Sequence, residues 1–233
     1  NSEPGASLLM GDLPDVTAHY SSDGLAERLI AILEASGLSR GQITEADLHS
    51  VDQMHLRGRI AATEFLDSLG IKAGDKVLDV DNSFDVIFTL HVAMNIADKV
   101  GLYREIARVL KPAGRFGLYD VVAGSGEPIH MPVPWATLPE HSHLVSAEEI
   151  EALVNAAGLE TERSEDQSAL VETYLDDQRA ARQLRVEKGE PEPPTGAPVI
   201  MGESFVQKQK HIYRNLKEGR IAVRLAIFKL KED

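Results

Sequence analysis

The residues best placed to do chemistry lie in "TLHVAMN", residues 89–95, where an apolar run gives way to a histidine and then an asparagine. His91 falls where a buried strand would end, and a neutral imidazole there can take or orient a proton. Asp79 occupies the same kind of position at the end of "KVLDV", as a strand-end carboxylate. Trp135 is the sole tryptophan and sits in "PVPWATLPEHSH". Its ring could wall an acceptor or cover a cationic amine, and it could equally anchor its loop on the core. His141 and His143 stand two apart, but the neighbouring sequence offers no convincing further ligands, so no metal is expected. With no cysteine in the chain, thiolate catalysis, disulfides and Cys-based zinc or iron–sulfur centres are excluded.

These residues need a scaffold, and the hydrophobic pattern supplies one. "SSDGLAERLIAILEASG" has Leu25, Leu29, Ile32 and Leu33 on one face and predicts a helix closed by Gly37. "TEADLHSVDQM" predicts a second helix with Thr44 as N-cap and Asp47 at the third position of a capping box. "RGRIAATEFLDSLG" predicts a third, ending at Gly70. Strands are expected at "KVLDV", "FDVIFTL", "GRFGLYDVV", "LETERSED" and "RIAVRLAIFKL". Helices are expected at "DKVGLYREIARVL", stopped by Pro112, and at "AEEIEALVNAAG", capped by Ser146. Two more fill "ALVETYLDDQRAARQLRVEKG" and "GESFVQKQKHIYRNLKEG".

Alternation of strand and helix argues for a doubly wound α/β sheet with helices on both faces. Ligands of such sheets bind beyond the carboxyl ends of the strands, the positions of Asp79 and His91. The Gly/Pro-rich stretch "AGSGEPIHMPVPWATLPEHSHLV" is long enough to be a lid or binding segment.

One junction does not fit. "KVLDV" and "FDVIFTL" both read as strands of a parallel sheet, yet the apolar runs are separated only by "DNSFD". A parallel crossover needs a dozen or more residues.

The phrases "AGDKVLDV", "NSFDVIFTLHVAMNIADK", "LYREIARVLKPAGRFGLYDVV" and "SAEEIEALVNAAGLE" resemble successive motifs of class I S-adenosylmethionine-dependent methyltransferases. They are most similar to the branch holding the sarcosine/dimethylglycine, phosphoethanolamine and quinone-biosynthesis enzymes. The resemblance covers roughly residues 15–160, and it implies a Rossmann-like sheet with an N-terminal helical extension and a helical insertion before the last strand. The corresponding division is a cap over 1–70 and a methyltransferase domain over 71–233, with the insertion at about 168–218.

The resemblance implies S-adenosylmethionine as cofactor and a small-molecule methyl acceptor. It assigns Tyr20, His55, Arg57, Gly58, Asp79 and Leu90 to the cofactor and Asn95 to the acceptor, while by their own positions Trp135 and His141 are further acceptor-side candidates and His91 the catalytic one. It also identifies the odd junction. The two strands match the family's first and fourth, and about 40–60 residues that should separate Val80 from Asp81, at roughly 30 per βαβ unit, are missing. That segment would carry the glycine-rich cofactor loop and the acidic residue that bonds the cofactor ribose. Either residues are omitted from the sequence at this point or the gene carries a deletion, and the intact flanks favour omission. A true deletion would instead suggest a non-catalytic methyltransferase fold acting in binding or regulation.

The formal charge of −13, from 37 acidic against 24 basic residues, argues against nucleic acid or anionic lipid as partner. No run of 18 apolar residues and no basic leader is present, so an untargeted cytoplasmic protein is expected. A nicotinamide-dependent dehydrogenase is disfavoured because no G-x-G-x-x-G occurs.

Overall fold

The structure is a computed structural model in which residues 24–48, 56–77, 84–191 and 196–231 are described. The chain divides into two compact units, Asn1–Asp52 with Pro194–Val206, and Gln53–Pro193 with Gln207–Asp233.

In the first unit, helix α1 (Leu25–Ala35) buries Leu33 and ends at Ser36, followed by Gly37 at φ 95°. Arg40 forks onto both carboxylate oxygens of Glu27, an exposed pair that adds little stability. Of the helix expected from Thr44, the described residues show a 3₁₀ turn over Glu45–Leu48, and its remainder from residue 49 lies outside the described residues. Thr44 there donates its hydroxyl and its backbone N–H to the Asp47 carboxylate. The backbone bond is the one a capping box makes from its third residue back to its N-cap.

The second unit holds a four-stranded sheet in the order β1 (Phe84–Leu90), β2 (Leu110–Ala123), β4 (Ile221–Leu230), β3 (Leu159–Asp166). β1 and β2 are parallel, whereas β4 runs antiparallel to both β2 and β3. Helices α2 (Gly58–Ser68), α3 (Lys99–Val109), α4 (Ala147–Ala156), α5 (Ser168–Lys188) and α7 (Phe205–Lys217) flank the chain's strands in sequence, and the short α6 spans Ala197–Met201.

Alternation along the two central strands builds two cores. Tyr119 and Val121 of β2, with Ile221, Val223, Leu225 and Ile227 of β4, pack with Phe65 and Leu69, Val171, Ile212 and Leu216. Phe116, Leu118, Val122, Ala226 and Phe228 face the other way, onto Tyr103 and Ile106 of α3 and Ile150 and Val154 of α4. Each strand residue therefore serves one layer of a helix–sheet–helix sandwich, as the α/β reading requires. Helix α2, which the sequence division placed in the N-terminal cap, buries Phe65 in the sheet's own core. Gly117 lets that helix approach, since a Cβ there would lie 2.5 Å from Leu69 Cδ2.

The helix caps explain the boundaries. Asp98 accepts from Gly101 N at 2.8 Å to start α3. Ser146 and Glu149 form a reciprocal capping box that starts α4. The helix after "DNSFD" is α3, so the first crossover in the described sheet is the ordinary β1–α3–β2 unit. The junction itself, including residues 78–83, lies outside the described residues. Its approach is visible: Asp85 N donates to Lys76 O at 3.1 Å and Lys76 N to the Asp85 carboxylate at 3.0 Å, so residue 76 lies beside the start of β1.

Candidate active site

β1 and β2 are parallel, so their carboxyl ends lie at one edge of the sheet, and Leu90 pairs with Tyr119 there. Past Leu90 the chain turns sharply. His91 takes φ 54°, a left-handed backbone that a residue with a Cβ adopts at a cost of about 1–2 kcal/mol. Its N–H donates to Tyr119 O at 2.8 Å, and its ring stands edge-on to the Tyr119 ring at 5.3 Å. A single 3₁₀ turn, Ala93–Asn95, follows. Asn95 Oδ1 is buried without a hydrogen-bond partner, an acceptor that a ligand N–H or O–H could satisfy.

On the other side of Tyr119 stands Arg57, whose φ of 65° opens α2 ahead of Gly58 at φ 50°. Its guanidinium grips Glu64 through two nitrogens and lies against the Tyr119 hydroxyl. Burial pushes the Tyr119 phenol up while Arg57 pulls it back. Tyr119 thus joins Arg57 to His91, and neither its strand position nor its type had marked it in the sequence.

Beneath the turn is Asp120, fully buried. Its Oδ2 accepts from Ala93 N at 2.6 Å and Val92 N at 3.3 Å, and its Oδ1 from Val121 N at 2.8 Å. Burial raises its pKa to about 7, against the pull of those three N–H groups and of Lys99. Lys99, also buried, donates to Ala93 O at 2.9 Å and Ile96 O at 2.8 Å, and burial lowers its pKa. A carboxylate inside the apolar strand "GLYDVV" was the available signal for this group.

The stretch 124–145 returns to the same place. His143 N donates to Met94 O at 2.9 Å, and burial together with the charges of Lys99 and His141 holds the His143 imidazole below its usual range. Trp135 is only 5 % exposed, packs in the core that includes Met94, and donates Nε1–H to Ser142 Oγ at 2.9 Å. It is a buried anchor rather than an open wall. Far from hanging as a lid, the stretch is fastened to α7: Asn215 brackets His130 through both backbone groups, and His211 Nδ1 meets Pro132 O at 3.0 Å.

Of the residues singled out from the sequence, His91, Leu90 and Arg57 meet at Tyr119, Asn95 lies in the turn just after His91 and Gly58 follows Arg57, while Trp135 and His141 belong to the returning stretch. Tyr20, His55 and Asp79 lie outside the described residues. No group of three or more His, Asp or Glu able to hold a metal gathers among the described residues.

Residues 30–118 match the family described as "Methyltransferase domain". Among curated proteins the chain is 48 % identical over 40 residues to the sterol 24-C-methyltransferase erg6 of Aspergillus fumigatus, covering 17 % of this chain and 11 % of that one. It is 28 % identical over 141 residues to the methyltransferase GfsG of Streptomyces halstedii, covering 58 % and 47 %. The chain therefore spans about a ninth of the first relative's length and about half of the second's. Among solved structures, the phosphoethanolamine N-methyltransferase 2 of Haemonchus contortus in complex with S-adenosyl-L-methionine aligns with a TM-score of 0.48 at 16 % identity, over 65 % of this chain and 34 % of that one. The matched residues carry α2, β1, α3 and the start of β2 with the motifs quoted above, and over that part the chain is similar to the methyltransferase domain family.

Proposed function

We propose that the protein transfers a methyl group from S-adenosylmethionine to a small-molecule acceptor, with His91 beside the acceptor. The observation that carries this reading is the fixed display of His91 and Asn95 past the carboxyl end of β1, within the family-matched residues. The cofactor supplies an electrophilic methyl on a sulfonium, so no covalent nucleophile is required of the protein. The chain's own work is to aim the acceptor, exclude water and receive a proton where the acceptor loses one.

His91 is suited to that task because its backbone is locked to Tyr119 O and its ring is braced on the Tyr119 ring. Asn95 offers a buried oxygen to an acceptor N–H or O–H. Arg57, Gly58 and Leu90 border the cofactor side in this reading, together with Tyr20, His55 and Asp79. The orphaned Asn95 Oδ1 and the converging strand ends fit a bound polar ligand, while the glycine-rich loop of the family has no counterpart among the described residues. Trp135 and His141 shape the acceptor side from behind. No helix among the described residues is long and apolar enough to cross a membrane, and a cytoplasmic location is part of the proposal, in keeping with the absence of cysteine.

The test is transfer of tritiated methyl from S-adenosylmethionine to a panel of amines, hydroxy acids, quinols and sterols, for wild type and His91→Ala. The expected result is turnover of at least one acceptor class, lowered by about 10²–10⁴-fold in the variant. Turnover that His91→Ala leaves intact would remove His91 from the chemistry.

A further inference from the structure

We propose that Asp120 is the positioning residue of this site: as a carboxylate it holds the backbone at Val92 and Ala93, and so sets the direction in which His91 and Asn95 leave β1. The inference rests on the methyltransferase reading only for its kinetic arm.

The side chain of Asp120 shares a sheet face with Leu118 and Val122, both deeply buried in the apolar core against α3. An apolar residue would pack there and avoid the cost of a desolvated charge, so burial alone gives no reason for an aspartate. What the aspartate adds is three acceptor contacts to backbone donors, two of them from the turn beyond β1 and one from its own neighbour Val121. Without it, Val92 N and Ala93 N would lose the acceptor they share. Lys99 holds the same turn from the opposite side. The Ala93 residue is gripped at its N–H by Asp120 and at its carbonyl by Lys99, and Met94 O is taken by His143 N. Three successive residues after His91 or next to it are thus held by groups from α3, β2 and the returning stretch. This is enough fastening to maintain the left-handed backbone of His91.

The groups facing Asp120 from elements packed against it are Lys99 and Tyr103 of α3, and His143 lies beyond Lys99 on the returning stretch. Burial opposes the charge on Asp120, so its ionised fraction changes across neutral pH. A protonated carboxyl would turn one acceptor oxygen into a donor facing a backbone N–H, which loosens the turn.

The experiment compares Asp120→Asn with Val122→Ala, a core truncation on the same strand face. Amide hydrogen exchange is the first readout. In Asp120→Asn, Val92 and Ala93 should lose protection by about tenfold or more, the scale of losing bonds to a charged acceptor, while the β4 amides keep theirs. Val122→Ala should lower protection across the sheet without singling out the turn. The second readout is kinetic: Asp120→Asn should lower kcat at least tenfold and leave the cofactor KM within about threefold, whereas Val122→Ala changes neither by that pattern. If the wild type transfers no methyl, the methyltransferase reading fails and exchange alone decides this one. Unchanged Val92 and Ala93 protection in Asp120→Asn, or a uniform loss like that of Val122→Ala, overturns the proposal. Should Asp120→Asn not fold, the wild type answers the question by carbon and nitrogen NMR titration. The Val92 and Ala93 amides must follow the Asp120 carboxyl, and amides that ignore its titration overturn the proposal equally.

Discussion

Replacing Asn215 by alanine should release the returning stretch from α7. Asn215 is fully buried, and its amide does two things at once. Its Oδ1 accepts from His130 N at 2.7 Å, and its Nδ2 donates to His130 O at 3.0 Å. Truncation leaves both backbone groups of His130 without these partners, at about 1–3 kcal/mol each, so the loss should be roughly 2–6 kcal/mol. The lower end applies if water enters the space and bonds to both groups. Neighbouring fastenings, His130 to Glu218 and His211 to Pro132 O, limit how far the segment can move. The assay is urea unfolding at pH 7, combined with amide exchange at His130 and limited proteolysis of residues 124–145. The variant should lose stability by that amount, exchange His130 faster and become cleavable in this stretch. Asn215→Asp should also destabilise, because its second oxygen would face the His130 carbonyl. A change below about 0.5 kcal/mol with His130 exchange unaltered would refute the idea that this clamp holds the segment.

Asp120 makes a second expectation about pH. Its folded-state pKa lies near 7, above the ordinary carboxyl value of 3.8, so between those values the folded protein binds the proton that the unfolded chain releases. Its contribution to stability is therefore complete at acid pH and declines as pH rises to about 7, with a slope of at most about 1.4 kcal/mol per unit. Chemical denaturation at several pH values should show that slope, and Asp120→Asn should flatten it. Two glycines on β2 and just past its end offer a graded packing test by thermal unfolding. Gly117→Ala would press on the buried side chains of Leu69 and Phe65 and should cost about 1–3 kcal/mol. Gly124→Ala would press on the Gly219 carbonyl, a backbone group that cannot rotate aside, and should cost more.

Much of the sheet could be read in advance because its signals are local. "FDVIFTL" is mostly apolar, with only Asp85 and Thr89 polar, and the structure forms β1 over those same residues, Phe84–Leu90. Ser146 caps α4 as expected, and Asp98 caps α3 by accepting from Gly101 N. The direction of β4 was not local. Helices α5, α6 and α7 lie between β3 and β4, a connection long enough to return the chain either way, and the structure seats β4 antiparallel between β2 and β3. β2 also begins at Leu110, before Pro112 and ahead of the expected start at Gly114, and the β1 pairing shifts register beside it. Proline is tolerated at such irregularities.

The site was legible only in part, for the same reason. His91 and Asn95 stand out as polar residues after a strand, so position alone flagged them. Tyr119 and Asp120 act through contacts with residues about 30 to 60 positions away, which no spacing rule connects. Trp135 could be weighed as wall or anchor from sequence, and its burial beside Met94 follows from the path of an aperiodic stretch. Even so, an aspartate within "GLYDVV" breaks an apolar strand, and that break points to a buried polar job.

The central claim is that this chain uses S-adenosylmethionine, and calorimetric titration with S-adenosylhomocysteine tests it most directly. The account predicts saturable one-to-one binding in the micromolar range, about 8 kcal/mol of binding free energy. Absence of binding at millimolar ligand would contradict it, and would mean that without the family's glycine-rich loop the fold no longer holds the cofactor.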